Sequence, residues 1–309
     1  MSTNMKRLWY LFLSLFLLGI GVFLLGNKKS PTVLIDHSSG TKVATSFYPI
    51  YYFATRVAGD HGAVINITPA GAEPHDYEPT TQDIVAINHS QLLLLNGGGL
   101  EIWADRIRGQ LPHTVIVVTG EGLAREELEE AGKKIIDPHV WLSPPLAKKQ
   151  VEKIRDGLIS VDAVNKDFYQ KNGVALEGEL EKLNQQYKMG LQTCKQKDIV
   201  TSHTAFGYLA KAYGLNQVAI SGLSPDQEPS PKQLVEVTAF VRKHNIKYIF
   251  FETLVSPKLA QIIANETGAK TLVLNPLEGL ATEEINQGKN YFTVMEENLK
   301  NLRLALECQ

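Results

Sequence analysis

Short apolar runs alternate with stretches of helical period along most of the chain, and the alternation happens twice. In the first half the runs lie at 42–47, 63–68, 91–95 and 114–118; in the second they lie at 198–201, 217–220, 247–251 and 271–274. Gln91-Leu92-Leu93-Leu94-Leu95 is apolar at consecutive positions, as in a strand buried on both faces. Helical patterns separate the runs, at 51–58, 80–88 and from 101 in the first half, and at 205–213, 231–244, 257–267 and 291–306 in the second. Such alternation predicts parallel sheets covered by helices, an α/β fold. No residue-level repeat relates the halves; they share only their grammar.

Two stretches depart from it. From 163 to 191 the pattern is helical throughout, with Phe168, Val174, Leu176, Leu180, Leu183 and Tyr187 at three- and four-residue steps, although Gly173 and Gly178 weaken its middle. A helix of roughly 28 residues is about 42 Å long, more than one small domain needs, so it is expected to cross from one half to the other. The acidic stretch 121–130 has no strong period and reads as a loop or a short solvated helix.

The N-terminus belongs to neither half. Lys6 and Arg7 precede an apolar run from 8 to 26, followed by Lys28 and Lys29. At 1.5 Å per residue this run spans roughly 28 Å, close to the hydrocarbon thickness of a bilayer. No Ala-x-Ala site comes after it and no cysteine near 26 could carry a lipid. Residues 1–30 are therefore expected to be an uncleaved membrane anchor, with a cleaved signal peptide as the alternative and a buried soluble helix as the plain one. Residues 31–41 read as a polar tether. Either favoured reading exports the rest of the chain, to the periplasm or the outer face of the membrane. The net charge of −2 includes Lys6, Arg7, Lys28 and Lys29, so the exported part carries about −6. No basic surface dominates, and nucleic acid is not an expected partner. The two cysteines, Cys194 and Cys308, can form a bridge in an oxidising compartment or stand as free thiols; both readings stay open.

Three of the eight histidines share a setting. His75 in Glu73-Pro74-His75-Asp76-Tyr77, His139 in Asp137-Pro138-His139-Val140-Trp141, and His203 in Ser202-His203-Thr204-Ala205-Phe206 each lie past an apolar run and open a turn or helix. Glu278, in Asn275-Pro276-Leu277-Glu278, lies past the last run. Ligands of open α/β sheets bind beyond the carboxyl ends of the strands, so two sheets facing across a cleft can bring these four side chains together. Three imidazoles and a carboxylate match the tetrahedral N/O set of Zn²⁺. The lack of thiolate and thioether donors argues against Cu(I). His37, His61, His89, His113 and His244 sit in tether, turn or helix-end contexts and read as structural.

Glu-Pro-His-Asp-Tyr-Glu-Pro at 73–79, Asp-Pro-His-Val-Trp-Leu-Ser-Pro at 137–144 and Ser-His-Thr-Ala-Phe-Gly-Tyr at 202–208 resemble, in order and spacing, the signature segments of the metal-binding receptors of zinc and manganese ABC importers, of ZnuA/AdcA type. The resemblance covers 42–307. It implies lobes at 42–162 and 193–309, joined by one long backbone helix over 163–192, with the metal in the cleft between them. It implies His75, His139 and His203 as ligands, a permease as partner, no enzymatic activity, and a monomer. Manganese-selective members tend to carry a carboxylate where His203 stands, so the imidazole favours zinc, with manganese as the runner-up. Many relatives have Asp where this chain has Asn275; the Asn-Pro-Leu-Glu form resembles the AdcA-like branch, in which the glutamate closes the site. Glu278 is thus the expected fourth ligand, with water or another carboxylate as the fallback, and Asn275 a turn residue. The histidine-rich loop of many zinc receptors is absent from 121–135. Asp76, Asp137 and Glu252 are candidates to orient the imidazoles. Two other functions compete. A zinc hydrolase would use three histidines and a water, with Glu278 as base, but no His-Glu-x-x-His motif is present. A receptor for an organic chelate would want aromatic and arginine side chains in place of three imidazoles.

Overall fold

A computed structural model describes residues 40–130 and 133–309; the expected anchor at 1–30 and nearly all of the tether lie outside them. Among the described residues no helix is long and apolar enough to cross a membrane.

The first sheet is built from β1 (Thr41–Thr45), β2 (Gly62–Asn66), β3 (Leu92–Leu95) and β4 (Val115–Val118), in the order β2-β1-β3-β4 and parallel throughout. Between these strands run α1 (Tyr48–Ala58), α2 (Thr81–Asn88) and α3 (Ile102–Ile107). Proline in the first turn opens α1, and a reciprocal Thr80–Asp83 capping box opens α2. After β4 the chain forms β5 (Glu127–Glu130) and β6 (Lys133–Ile136), then α4 (Pro144–Val161) and the long α5 (Lys166–Leu191).

The second sheet repeats the first: β7 (Asp198–Thr201), β8 (Asn216–Ala219), β9 (Tyr248–Phe251) and β10 (Lys270–Val273), in the order β10-β9-β7-β8, again all parallel. Its helices are α6 (Gly207–Tyr213), α7 (Pro231–Lys243), α8 (Lys258–Thr267), α9 (Thr282–Asn286) and α10 (Tyr291–Ala305). In each sheet the chain fills one side of the first strand, then crosses to the other. That reversal is the switch point beside which α/β sheets bind ligands.

The two lobes share a core. Val43, Phe53 and Leu94 of the first lobe, Ile154 and Leu183 of α4 and α5, and Ile199, Phe250 and Met295 of the second are buried in one continuous cluster. The outer face of each sheet has its own smaller cluster. At 26 residues α5 is about 39 Å long and ties both lobes. Asn172 donates to the Val57 carbonyl at the end of α1 (3.1 Å), and the Tyr187 hydroxyl donates to the Met295 carbonyl in α10 (2.7 Å). Gly173 does not break the helix; a Cβ there would meet the Arg155 side chain of α4 at 3.0 Å, so its smallness lets the two helices approach. A Cys194–Cys308 disulfide joins the end of α5 to the chain beyond α10, settling the open alternative.

The stretch 121–130, expected as loop or solvated helix, instead contributes a strand. β5 and β6 form an antiparallel hairpin with Leu128 opposite Ile135, and Lys134 reaches Glu127 at 2.8 Å. Four residues per strand are too few to show a period of two, and the cross-strand pairs that stabilise such a ribbon appear only once the partner is known. The short α9, five residues long, has no counterpart in the sequence pattern either.

Candidate metal centre

Each of the four singled-out side chains comes from a loop beyond a strand's carboxyl end. His75 sits in the loop between β2 and α2. There the Glu73 carboxylate accepts the His75 backbone N–H (3.2 Å), and Gly71 donates to the Leu280 carbonyl of the other lobe (3.0 Å). His139 follows the hairpin. Asn96, at the end of β3, donates to the Pro138 carbonyl (2.9 Å) and fixes the chain just before it. His203 follows β7, its carbonyl accepting from Thr201 Oγ1 (2.8 Å) and Gln217 Nε2 (2.9 Å). Glu278 follows β10 in a turn that Asn275 builds: its side-chain oxygen accepts the Leu277 N–H (2.7 Å), and Asn298 brackets the Asn275 backbone from both sides. Asn275 is the turn residue expected, and Leu277 takes a left-handed φ of 58° there.

The four donors converge. Glu278 Oε1 lies 3.3, 3.0 and 3.1 Å from the Nε2 atoms of His75, His139 and His203, and His139 Nε2 is 3.3 Å from each of the other two. All four ligand atoms fall within 4.8 Å of one another. A tetrahedron with zinc bonds of about 2.0–2.1 Å has edges of about 3.3–3.4 Å, so these separations fit one ion at the centre. His139, His203 and Glu278 are fully buried, and His75 is about 10 % exposed, which makes it the outermost donor.

Two of the three imidazoles are oriented by carboxylates. Asp137 Oδ1 accepts the His139 backbone N–H (2.9 Å) and faces its Nδ1 (2.7 Å); Glu252 Oε1 faces His203 Nδ1 (2.6 Å). With Nδ1 held by a carboxylate in this way, each Nε2 is left to face the centre, where it meets Glu278 and, once its proton is lost, can offer a lone pair to a metal. Glu252, which the sequence left between an orienting role and a solvated turn, is buried. Asp76, the third candidate, bonds Asp226 and raises that residue's pKa, while the ring partners of His75 are His139 and Glu278. Among the described residues, His75 therefore has no carboxylate orienting its ring from behind.

Burial works against charge at every donor, and the neighbours decide the outcome. For His75 burial prevails and its pKa is lowered. For His139 the burial cost is outweighed by Asp137 and then Glu278, and the pKa is raised. For His203 burial is outweighed by the charges of Glu252 and Glu278, which hold it well above the usual imidazole range. For Glu278 burial is outweighed by the charge of His203 and by hydrogen bonding to the three imidazoles, which hold the carboxyl well below the usual range. Burial, then the Glu278 charge, pushes Glu73 up to about 9. A cation entering this centre meets an anionic oxygen and must displace protons from imidazoles.

Two bonds between lobes brace the site and have no signal in the sequence. Trp141 Nε1 donates to the Pro276 carbonyl (2.7 Å), and the Tyr291 hydroxyl donates to the Trp141 carbonyl (2.6 Å). The apolar Val140-Trp141 pair reads in sequence as core; only its pairing across the cleft reveals the indole N–H as a strut.

Known proteins place this geometry in context. The family model described as zinc-uptake complex component A, periplasmic, matches residues 43–305. The high-affinity zinc uptake system protein ZnuA of Bacillus subtilis is 40% identical over 295 residues, covering 91% of this chain and 92% of its own. The zinc-binding lipoprotein AdcA of Streptococcus pneumoniae is 42% identical over 274 residues, covering 84% of this chain but only 55% of its own, so the chain spans about half of that relative. The crystal structure of Zn(II)-bound AdcA from the same species superimposes with a TM-score of 0.76 at 41% identity, over 87% of this chain and 58% of that one. A match over nearly all of both lobes, with the three histidine motifs inside it, means that the chain belongs to the ZnuA family of zinc-uptake components.

Proposed function

We propose that this chain is an extracytoplasmic receptor that captures Zn²⁺ through His75, His139, His203 and Glu278 and delivers it to an ABC-type permease. The observation that carries the reading is the closed, buried N₃O donor set between two lobes, with two of its imidazoles already aimed by carboxylates. Four protein donors complete a tetrahedron and leave no open position for an activated water, which suits binding and release and not hydrolysis. The name of the Bacillus subtilis relative, a high-affinity zinc uptake protein, supports the same cargo, and the Zn(II)-bound AdcA structure shares the fold. An imidazole at position 203 and the nitrogen-rich set favour zinc over manganese.

In this reading the lobes are 42–162 and 193–309, the linking helix is 163–192, and the receptor acts as a monomer tethered by residues 1–30. The shared core and α5 keep the lobes nearly fixed, so loops, the His75 loop first, move when the metal leaves. Metal content and chelator-competition affinity test the assignment, with His139→Ala as the decisive variant. It is expected to lose at least about 100-fold in zinc affinity, since one donor goes and Glu278 loses a partner. A variant that binds zinc as tightly as the parent refutes the site.

A further inference from the structure

The base of the β5–β6 hairpin is bonded to the second lobe. It is the pair Glu126 and Asp137, where the Asp137 N–H donates to the Glu126 carbonyl (2.9 Å). Against that base stands the hydroxyl of Tyr208, from α6 of the second lobe. It accepts the backbone N–H groups of Arg125 (2.9 Å) and Glu126 (3.1 Å) and donates to the Asp137 carbonyl (3.0 Å). Those three bonds use the hydroxyl's one donor and both acceptor lone pairs. The side chain is buried, so water cannot replace it freely. One residue earlier, a Cβ on Gly207 would lie 2.8 Å from Asp137 Oδ2; glycine leaves the room that carboxylate occupies. The other oxygen of the same carboxylate holds the His139 N–H and ring. Tyr208 and Gly207 come after His203 within one short segment. A donor of the second lobe and a donor of the first are thus linked through Gly207, Tyr208 and Asp137 by a path that does not pass through the metal.

We propose that Tyr208 and Gly207 are positioning residues that hold the two half-sites in register and set the rate at which zinc is released. The inference rests on the zinc reading above. Without the Tyr208 hydroxyl, two partly buried backbone N–H groups lose their acceptor and the hairpin base can shift. Asp137 moves with it, and so does the Nε2 of His139, whose bond to a metal tolerates only about 0.2 Å.

The test uses the full-length chain loaded with zinc, with release followed by stopped-flow capture into a chelator, and the visible spectrum of the cobalt(II)-substituted protein as a report on donor geometry. Tyr208→Phe and Gly207→Ala are compared with Tyr213→Phe, which removes another buried hydroxyl from the same helix, one bonded to Asn184 Oδ1 on α5 (3.1 Å). Tyr208→Phe and Gly207→Ala are expected to release zinc about tenfold faster than the parent, with an altered cobalt spectrum. Tyr213→Phe is expected to lower thermal stability while keeping the parent's rate and spectrum. If Tyr208→Phe behaves as Tyr213→Phe does, the inference is overturned although the zinc reading survives. A parent that binds no zinc overturns both. Should Gly207→Ala not fold, Tyr208→Phe alone decides.

Discussion

Replacing Glu252 by glutamine should weaken zinc binding in a way that depends on pH with a definite sign. Glu252 Oε1 faces His203 Nδ1 at 2.6 Å in a buried setting, a charge-assisted bond. Glutamine can still accept that N–H through its carbonyl oxygen, so the ring keeps its orientation while the carboxylate charge goes. Removing such a partner typically costs 10–100-fold in metal affinity; with geometry preserved we expect the lower end, about tenfold, or about 1.4 kcal/mol. Two consequences of the lost charge then oppose each other. The imidazole becomes a poorer zinc donor, which weakens binding at every pH. It also becomes a weaker base: in the parent the charges of Glu252 and Glu278 outweigh burial and hold His203 well above the usual range. Zinc must therefore displace a proton from the parent's His203 at neutral pH, and less of one from the variant's. As pH falls from above the parent's raised pKa, the parent loses affinity first. The parent-to-variant ratio should be largest in alkaline solution and shrink toward neutrality. Chelator-competition affinities across that range measure the ratio. Calorimetry in two buffers of different ionisation enthalpy counts the protons released, with fewer expected from Glu252→Gln. A ratio that stays constant with pH, or equal proton release from both proteins, refutes the reasoning.

The disulfide and the lobe geometry carry expectations of their own. The Cys194–Cys308 bridge closes a loop of 114 residues, so Cys308→Ser should cost about 4–5 kcal/mol in the entropic account and about 10 °C in Tm, read by calorimetry under non-reducing conditions. The bridge lies outside the donor set, so zinc affinity at 25 °C should change little. Crystal structures of metal-free and zinc-bound protein should superimpose lobe on lobe, with the change concentrated in the loop of His75, the donor whose ring no carboxylate among the described residues orients from behind. A rotation of tens of degrees between the lobes would contradict the restraint ascribed to α5 and the shared core.

Much of the architecture is carried by local pattern. All eight strands of the two parallel sheets lie within a residue or two of the runs that marked them, most plainly β3, which is buried at every position and apolar throughout. The long helix shows because its stripe persists over seven turns, and His75, His203 and Glu278 show because ligands of parallel sheets bind beyond the strand ends, whereas His139 lies beyond the separate β5–β6 ribbon. The hairpin, α9 and the disulfide did not show. β5 and β6 are each too short to display a period, and whether two thiols meet is settled by distances the chain order does not contain.

The donors' surroundings divide the same way. Asp137 could be proposed as the partner of His139 because it lies two residues away; Glu252 and His203 are separated by 49 positions, and only the adjacency of β7 and β9 puts their side chains in contact. The cross-lobe struts from Trp141 to Pro276 and from Tyr208 to the hairpin base belong wholly to the tertiary structure. The sequence by itself determined which elements form and which side chains lie at their ends, since both depend on short-range patterning. The tertiary structure alone decided how far apart those ends stand and which charges face each other. These set the zinc-sized separation of the donors and the direction in which each one's pKa moves, and both depend on distances that folding fixes.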